Sequence, residues 1–381
     1  MTSPPMTSPT LSHRVANLHA SPIREILSII DAPGMVSFAG GLPAAETFPA
    51  LSLDAMPRSY LQYGPTEGDT ALRAHIAEDL GSLGLRCTPE QVLILSGSQQ
   101  GIDLVAKLFV DTGTLVTVES PTYLAALQVF RFFGAHFVPF RTHEPGESWA
   151  ARTPALAYTI PTFQNPTGRC YSATERAAVA KACDTYSVPL FEDDPYRDLV
   201  YDPCDRAPIC GSVERASWIY QGSFSKSLAP GLRLGFLVSS PDLTVPLTRL
   251  KQAADLHSSR ISQWLALEQL RSPARRERLE TLVCLYRGKR DYFAKALHRH
   301  LASVATWDTP PGGLFFWLRL KEARDTRAIL TEAIRQGVAF MPGEPFFPDA
   351  PSGSSALRLN FSHAAEADTE RGLATLARLL G

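Results

Sequence analysis

The sequence holds no apolar run approaching the roughly 20 residues that a membrane-spanning helix needs. Its first stretch, MTSPPMTSPTLSHR, lacks the apolar core of a signal peptide. Neither charge is in excess: 37 Lys and Arg stand against 38 Asp and Glu, a net charge of −1. A nucleic-acid-binding chain shows a basic stripe or tail, and neither occurs here. The six cysteines (Cys87, Cys170, Cys183, Cys204, Cys210 and Cys284) form no C-x-x-C pair and have no histidine nearby at metal-ligand spacing. No repeat recurs along the chain, and no linker-like stretch divides it. These absences exclude a disulfide scaffold and a polyanion-binding module. They predict a soluble, cytoplasmic protein with reduced thiols and no metal, whose partners are neither nucleic acid nor membrane.

What is present is of ordinary globular composition, 45% hydrophobic and 20% charged, and 381 residues suffice for a large domain with a smaller one. Residues 1–12 are rich in Pro, Ser and Thr and are expected to be disordered or loosely draped. From Ser21 to Ile30 the apolar residues Ile23, Ile26, Leu27 and Ile30 repeat at helical spacing. SFAGGLP at 37–43 reads as a short extended piece broken by a glycine turn. Seven short β-rich runs follow: QVLILS (91–96), TLVTVES (114–120), AHFVPF (135–140), LAYTIP (156–161), VPLFEDD (188–194), SWIYQGS (217–223) and LRLGFLVS (232–239). Helix-like segments, such as 99–110, 173–186 and 260–272, separate many of them. Nearly continuous apolar strands separated by helices predict an α/β fold with a mainly parallel sheet covered on both faces. The last hundred residues differ. A long helical stretch (about 274–302) precedes LFFWLRL (314–320), a helix, VAFMP (338–342), ALRLNFS (356–362) and a closing helix, as expected of a second, smaller α/β layer.

In such a sheet, ligands bind beyond the carboxyl ends of the strands. Polar and glycine-rich signatures sit at five of those ends: GSQQG after LILS, PTY after VTVES, TFQNPTG after AYTIP, DDPY after PLFE, and SFSKSLAPGLR after WIYQG. Five specialised strand ends imply one assembled site.

The last of these carries the strongest chemistry. In the framework S-x-S-K-x-x-x-P-G-x-R, Lys226 is flanked by hydroxyls and Arg233 follows seven residues on. A lysine amine attacks a carbonyl only when deprotonated, and desolvation or a neighbouring cation lowers its pKa. Arg233 can grip a phosphate bidentately, and Ser223 and Ser225 can donate to the same group. In VPLFEDDPY, two acids end an apolar strand and call for a cationic partner when buried. A protonated pyridine nitrogen is such a partner, although an acid pair by itself serves equally as a helix cap. Tyr196, three residues past Asp193, can hydrogen-bond a 3-hydroxyl on such a ring. Asp194 competes with Asp193 for the pyridine. NPTG (165–168) is a turn in its own right, yet Asn165 can donate its amide to the ring's 3-oxygen or to a substrate carboxylate. GSQQG opens a helix, so backbone N–H groups and the Ser98 hydroxyl can face a phosphate. Tyr123 can stack on a flat ring, or simply fill core.

In this order, the pieces resemble the class I/II aminotransferases of pyridoxal phosphate (PLP) fold type I, from about Ser21 to the C-terminus. SPIREIL (21–27), FAGGLP (38–43), QYGPTEG (62–68), LSGSQQG (95–101), EDDPY (192–196) and GEPFF (343–347) look most like the 2-aminoadipate and kynurenine/aminoadipate subgroup. The resemblance implies a large domain (46–275) with a seven-stranded, mainly parallel sheet between helices. A smaller α/β C-terminal domain (276–381) and an N-terminal arm and helix (1–45) packing with it complete the fold. It implies that Lys226 is the Schiff-base lysine of pyridoxal 5′-phosphate and shuttles the proton between Cα and C4′. Asp193 would pair with the pyridine nitrogen, and Tyr196 and Asn165 with the 3-oxygen. Ser98, Gln99, Ser223, Ser225 and Arg233 would hold the phosphate, and Tyr123 would stack on the ring. Arg358 would bind the substrate α-carboxylate with help from Asn165 and the Gly40 backbone, though a strand arginine also suits a surface ion pair. Arg24 would meet the substrate side chain, or else face solvent. In such relatives Tyr63 reaches the phosphate of a neighbouring subunit, which implies a homodimer with shared active sites acting on an amino acid and a 2-oxo acid. The same cofactor site also supports elimination, decarboxylation, replacement or cyclisation. Some regulators fuse a winged helix to a domain of this kind, but only about 20 residues precede it here.

Overall fold

The computed structural model describes residues 11–17, 34–348 and 355–381; the helix expected at Ser21–Ile30 lies outside them. Its strands are β1 (Val36–Ser37), β2 (Val92–Leu95), β3 (Leu115–Val118), β4 (His136–Pro139), β5 (Leu156–Thr159), β6 (Leu190–Asp194), β7 (Trp218–Ser223), β8 (Gly235–Ser239), β9 (Ala305–Thr306), β10 (Phe315–Leu320), β11 (Val338–Ala339), β12 (Met341–Pro342) and β13 (Ala356–Asn360). The seven apolar runs become one sheet in the order β2-β8-β7-β6-β5-β3-β4. β8 is antiparallel to both neighbours, and the other pairings are parallel. The carboxyl ends of β2, β3, β5, β6 and β7 therefore share one edge.

The runs read as continuous rather than alternating because both faces are covered. Val92 and Ile94 pack with the helices Thr70–Ser82, Ala173–Tyr186 and Arg260–Arg271. Leu93 and Leu95, pointing the opposite way, pack with Ser98–Phe109, Leu124–Phe132 and Pro241–Asp255. The helix starts are fixed by their sequence. Asp69 accepts from the Ala71 and Leu72 amides, and Ser172 with Glu175 forms a capping box. Only β4, at the edge, is partly exposed, and it ends on Pro139, which an edge strand tolerates.

A second, antiparallel sheet is ordered β12-β13-β10-β9, and β1 pairs in parallel with β11 beside it. The 27-residue helix Arg275–Leu301, about 40 Å long at 1.5 Å per residue, buries Leu282, Tyr286, Phe293 and Leu297 in the core under this sheet. Two runs differ from their sequence reading. VAFMP is not one strand: the chain turns at buried Phe340, so that β11 pairs with β1 and β12 with β13. LRLGFLVS enters the sheet only at Gly235, because Arg233 takes the left-handed conformation (φ 48°) after the turn Pro230–Leu232. Among the described residues, no helix is long and apolar enough to cross a membrane, and no cluster of His, Cys, Asp and Glu could hold a metal ion.

Candidate active site

The five strand ends meet at a cavity of about 180 Å³ lined by Ser98, Gln99, Tyr123, Asn165, Asp193, Tyr196, Ser223, Ser225, Lys226 and Arg233, together with Ile160 and Pro195. Ten residues singled out in the sequence are thus brought together.

One end is built for an anion. Gly97 stands at φ +88°, and a Cβ there would lie 2.5 Å from Arg233 Nη2, so only glycine lets the guanidinium close on the turn. The next residue, Ser98, opens the helix Ser98–Phe109, which has no side-chain cap; the Gln100 amide turns back to the Gly97 carbonyl at 3.1 Å, while the Ser98 and Gln99 amides precede the helical ladder. Ser223 Oγ accepts from the Ser225 amide (3.2 Å), which leaves its own proton free to donate. Gln99 and Arg233 are exposed, so this end is open to solvent in a single chain.

Lys226 follows β7, and its Nζ donates to the Gly41 carbonyl at 2.9 Å. Burial brings the amine down to about 8, with further lowering from the nearby charges of Arg358 and Arg233. The opposite end holds Asp193, whose two oxygens are both taken by neutral donors. Tyr158 Oη donates to Oδ2 (2.9 Å) and Gln221 Nε2 to Oδ1 (2.8 Å). Burial pushes the Asp193 carboxyl up to about 6, against the pull of those two bonds. Asp194 points to the other face of β6, where Tyr220 donates to it at 2.8 Å, and it does not line the cavity. Tyr158 and Gln221 escaped the sequence reading. They are polar residues inside apolar runs, and that was the available signal.

Arg358, on β13, comes from the second sheet. It is buried, donates to Asn165 Oδ1 (2.8 Å) and the Ala39 carbonyl (2.6 Å), and lies 4.1 Å from the centre of the Phe315 ring. Among the described residues its Nε has no partner, and burial lowers its pKa to about 10. It is therefore not the surface ion pair that a strand arginine often makes. Gly40 sits between the two carbonyls that receive Arg358 and Lys226, so the 39–41 backbone passes over both cations. Tyr63 does not line the cavity. It is 75% exposed and packs edge-on to His257 with ring centres 5.8 Å apart. Arg24 lies outside the described residues.

Residues 37–376 match the family model for aminotransferase class I and II. The chain is 37% identical to a 2-aminoadipate transaminase of Thermus thermophilus, over 95% of this chain and 94% of that one. It is 33% identical to aromatic-amino-acid aminotransferase 1 of Thermococcus litoralis, over 97% and 93%. Among solved structures, an α-aminoadipate aminotransferase from Thermus thermophilus complexed with N-(5′-phosphopyridoxyl)-L-leucine superposes with a TM-score of 0.88 at 36% identity, covering 97% of both chains.

The Lys226 environment makes a direct prediction for the cofactor-free protein. Acylation of Lys226, followed by peptide mass spectrometry across pH, should reach half its maximal rate near pH 8. A midpoint above about 10, as for a solvated lysine, would contradict the burial and charge argument.

Proposed function

This chain belongs to the class I and II aminotransferases, and we propose that Lys226 is the residue on which its chemistry turns. The protein uses pyridoxal 5′-phosphate and moves an amino group between an L-amino acid and a 2-oxo acid. The residues present suit that group. The Gly97–Arg233 cradle would be filled by a Cβ, and it faces the free amides of a helix start, as a phosphate requires. A buried carboxylate at the far end suits a protonated ring nitrogen. When bound, the cofactor supplies an electrophilic carbonyl carbon and a ring that draws electrons from the substrate Cα.

The residues then divide the work. Arg233, Ser98, Ser223, Ser225 and Gln99, with the helix amides, hold the phosphate. Asp193, fixed by Tyr158 and Gln221, keeps the ring nitrogen protonated. Tyr196 and Asn165 donate to the 3-oxygen, and Tyr123 lies against the ring. Arg358 takes the substrate α-carboxylate, because among the described residues its guanidinium is buried without a carboxylate and the Asn165 amide lies beside it. The Gly40 backbone closes the same corner. Lys226 Nζ, neutral above pH 8 or so before the cofactor binds, would hold the cofactor through its carbonyl carbon with loss of water and would be the base for the substrate Cα proton. One observation carries this reading: a single cavity is lined by the lysine amine, the Ser98–Arg233 anion cradle and a doubly hydrogen-bonded buried carboxylate.

The reading extends to a homodimer with shared sites. Phe48, Leu51, Leu53, Leu61 and Tyr63 are exposed along one segment, and Leu256 is exposed beside His257. An apolar strip of that kind favours a self-complementary contact. The phosphate-facing end beside it is open in one chain, and Tyr63 of a second copy is suited to close it.

Replacing Lys226 with alanine should lower turnover by at least about 10²–10⁴, the share of a positioned proton-transfer group, and abolish covalent retention of the cofactor. Normal turnover with cofactor still bonded would overturn the assignment. Light scattering on the purified protein should give the mass of two chains, and the mass of one would refute the shared site.

A further inference from the structure

Behind the phosphate-facing turn lies a cluster that none of these roles uses. Lys251, on the helix Pro241–Asp255, has a side chain with 0% of its surface exposed. Its Nζ donates to Asp255 Oδ1 (2.6 Å), Gln100 Oε1 (2.9 Å) and Ser258 Oγ (2.9 Å). Asp255 Oδ2 in turn accepts from Ser96 Oγ and Gln100 Nε2, both at 2.8 Å. Gln100 Oε1 also accepts the Ser96 amide at 2.9 Å. Ser96 and Gln100 are the two flanks of Gly97–Ser98–Gln99, the turn that meets Arg233. An ion pair between buried Lys251 and the more exposed Asp255 thus clamps the turn from both sides.

Lys251 and Asp255 form an ion pair within one helix, four residues apart. Burial disfavours both ions, but the bonds from Lys251, Gln100 and Ser96 leave Asp255 below the usual carboxylate range. Lys251 is lowered by burial, with Asp255 opposing. A pair with one partner open to solvent adds little net stability, but its bonds to Gln100 and Ser96 set the orientation of both side chains. The backbone accommodates this one at Leu256, which takes φ 63°, unusual for a bulky side chain, and so returns Ser258 to bond the Ile94 carbonyl at 3.2 Å.

We infer that Lys251 is a positioning residue for the cofactor's phosphate. Acting through Gln100 and Ser96, it holds the Gly97–Ser98–Gln99 turn at the spacing from Arg233 that lets amides, hydroxyl and guanidinium converge on one anion. The inference rests on the proposal that this end of the cavity takes the phosphate.

The test compares pyridoxal 5′-phosphate with phosphate-free pyridoxal in absorbance titrations of the cofactor-free protein. In Lys251→Met, affinity for the phosphorylated form should fall at least about tenfold, the worth of one charge-assisted hydrogen bond, with pyridoxal affinity unchanged. The ³¹P resonance of the bound cofactor should shift as well. The milder Ser258→Ala, which removes one of the Lys251 bonds, should show the same selective loss at smaller size, and it serves if Lys251→Met fails to fold. Unchanged affinity for both ligands overturns the inference. So does an equal loss for both, which marks a purely structural pair. Arg233→Met separates the two levels. If it loses the preference for phosphate while Lys251→Met keeps it, only the present inference falls. If Arg233→Met keeps the preference, the phosphate end is misassigned and both fall.

Discussion

Two neighbouring cations that the protein declines to neutralise organise this molecule: Lys226 lines the cavity, and Arg358 lies close enough to lower its pKa. Lys226 donates to the Gly41 carbonyl, and Arg358 to the Asn165 side chain and the Ala39 carbonyl; among the described residues neither makes an ion pair. Asp193, the acid that lines the cavity, has both oxygens occupied by Tyr158 and Gln221. A buried charge left without a partner is expensive, and such expense is tolerated where a ligand offsets it. On the proposed roles the ligand would bring every missing complement: a phosphate for Arg233, a carbonyl for Lys226, a ring nitrogen for Asp193 and a substrate carboxylate for Arg358. Had Asp193 paired with Lys226, the amine would stay protonated and the ring would lose its counter-ion.

The fold keeps these charges apart by drawing them from different places. The parallel strands deliver Ser98, Asn165, Asp193 and Lys226 to a single edge. Arg358 comes from the second sheet, and the 39–41 carbonyls come from the chain just after β1. Alternation along β6 then decides which acid serves: Asp193 faces the cavity, while Asp194 is bonded by Tyr220 on the other side. The phosphate end depends on a further layer, the Lys251–Asp255 pair, which holds a turn whose glycine admits the arginine.

Much of this was legible in the sequence, because local chemistry marks it. Two covered faces demand continuous apolar runs, so all seven strands of the large sheet could be read. Strand ends that hold a ligand carry residues otherwise odd beside such runs, so the cavity's ten polar and aromatic lining residues stood out. What stayed hidden depends on partners far apart in the chain. Arg358 and Asn165 are 193 positions apart, and nothing in ALRLNFS separates an arginine bonded to that asparagine from one in a surface ion pair. The antiparallel course of β8, the break at Phe340 and the left-handed Arg233 leave no mark in the hydrophobic pattern. Nor does the stretch His257–Arg260, whose Ser258 proves to belong to the Lys251 cluster. Tyr63, expected at the phosphate of a neighbouring subunit, is exposed and away from the cavity in the single chain.

The most direct test of the uncompensated-cation account is the titration of Lys226 in cofactor-free Arg358→Met protein, followed through the pH dependence of its acylation. Removing the neighbouring charge should move the Lys226 midpoint upward from about 8 towards the ordinary lysine value of 10.5. A midpoint that does not move would mean that Arg358 and Lys226 do not feel each other, and would contradict the account at its base.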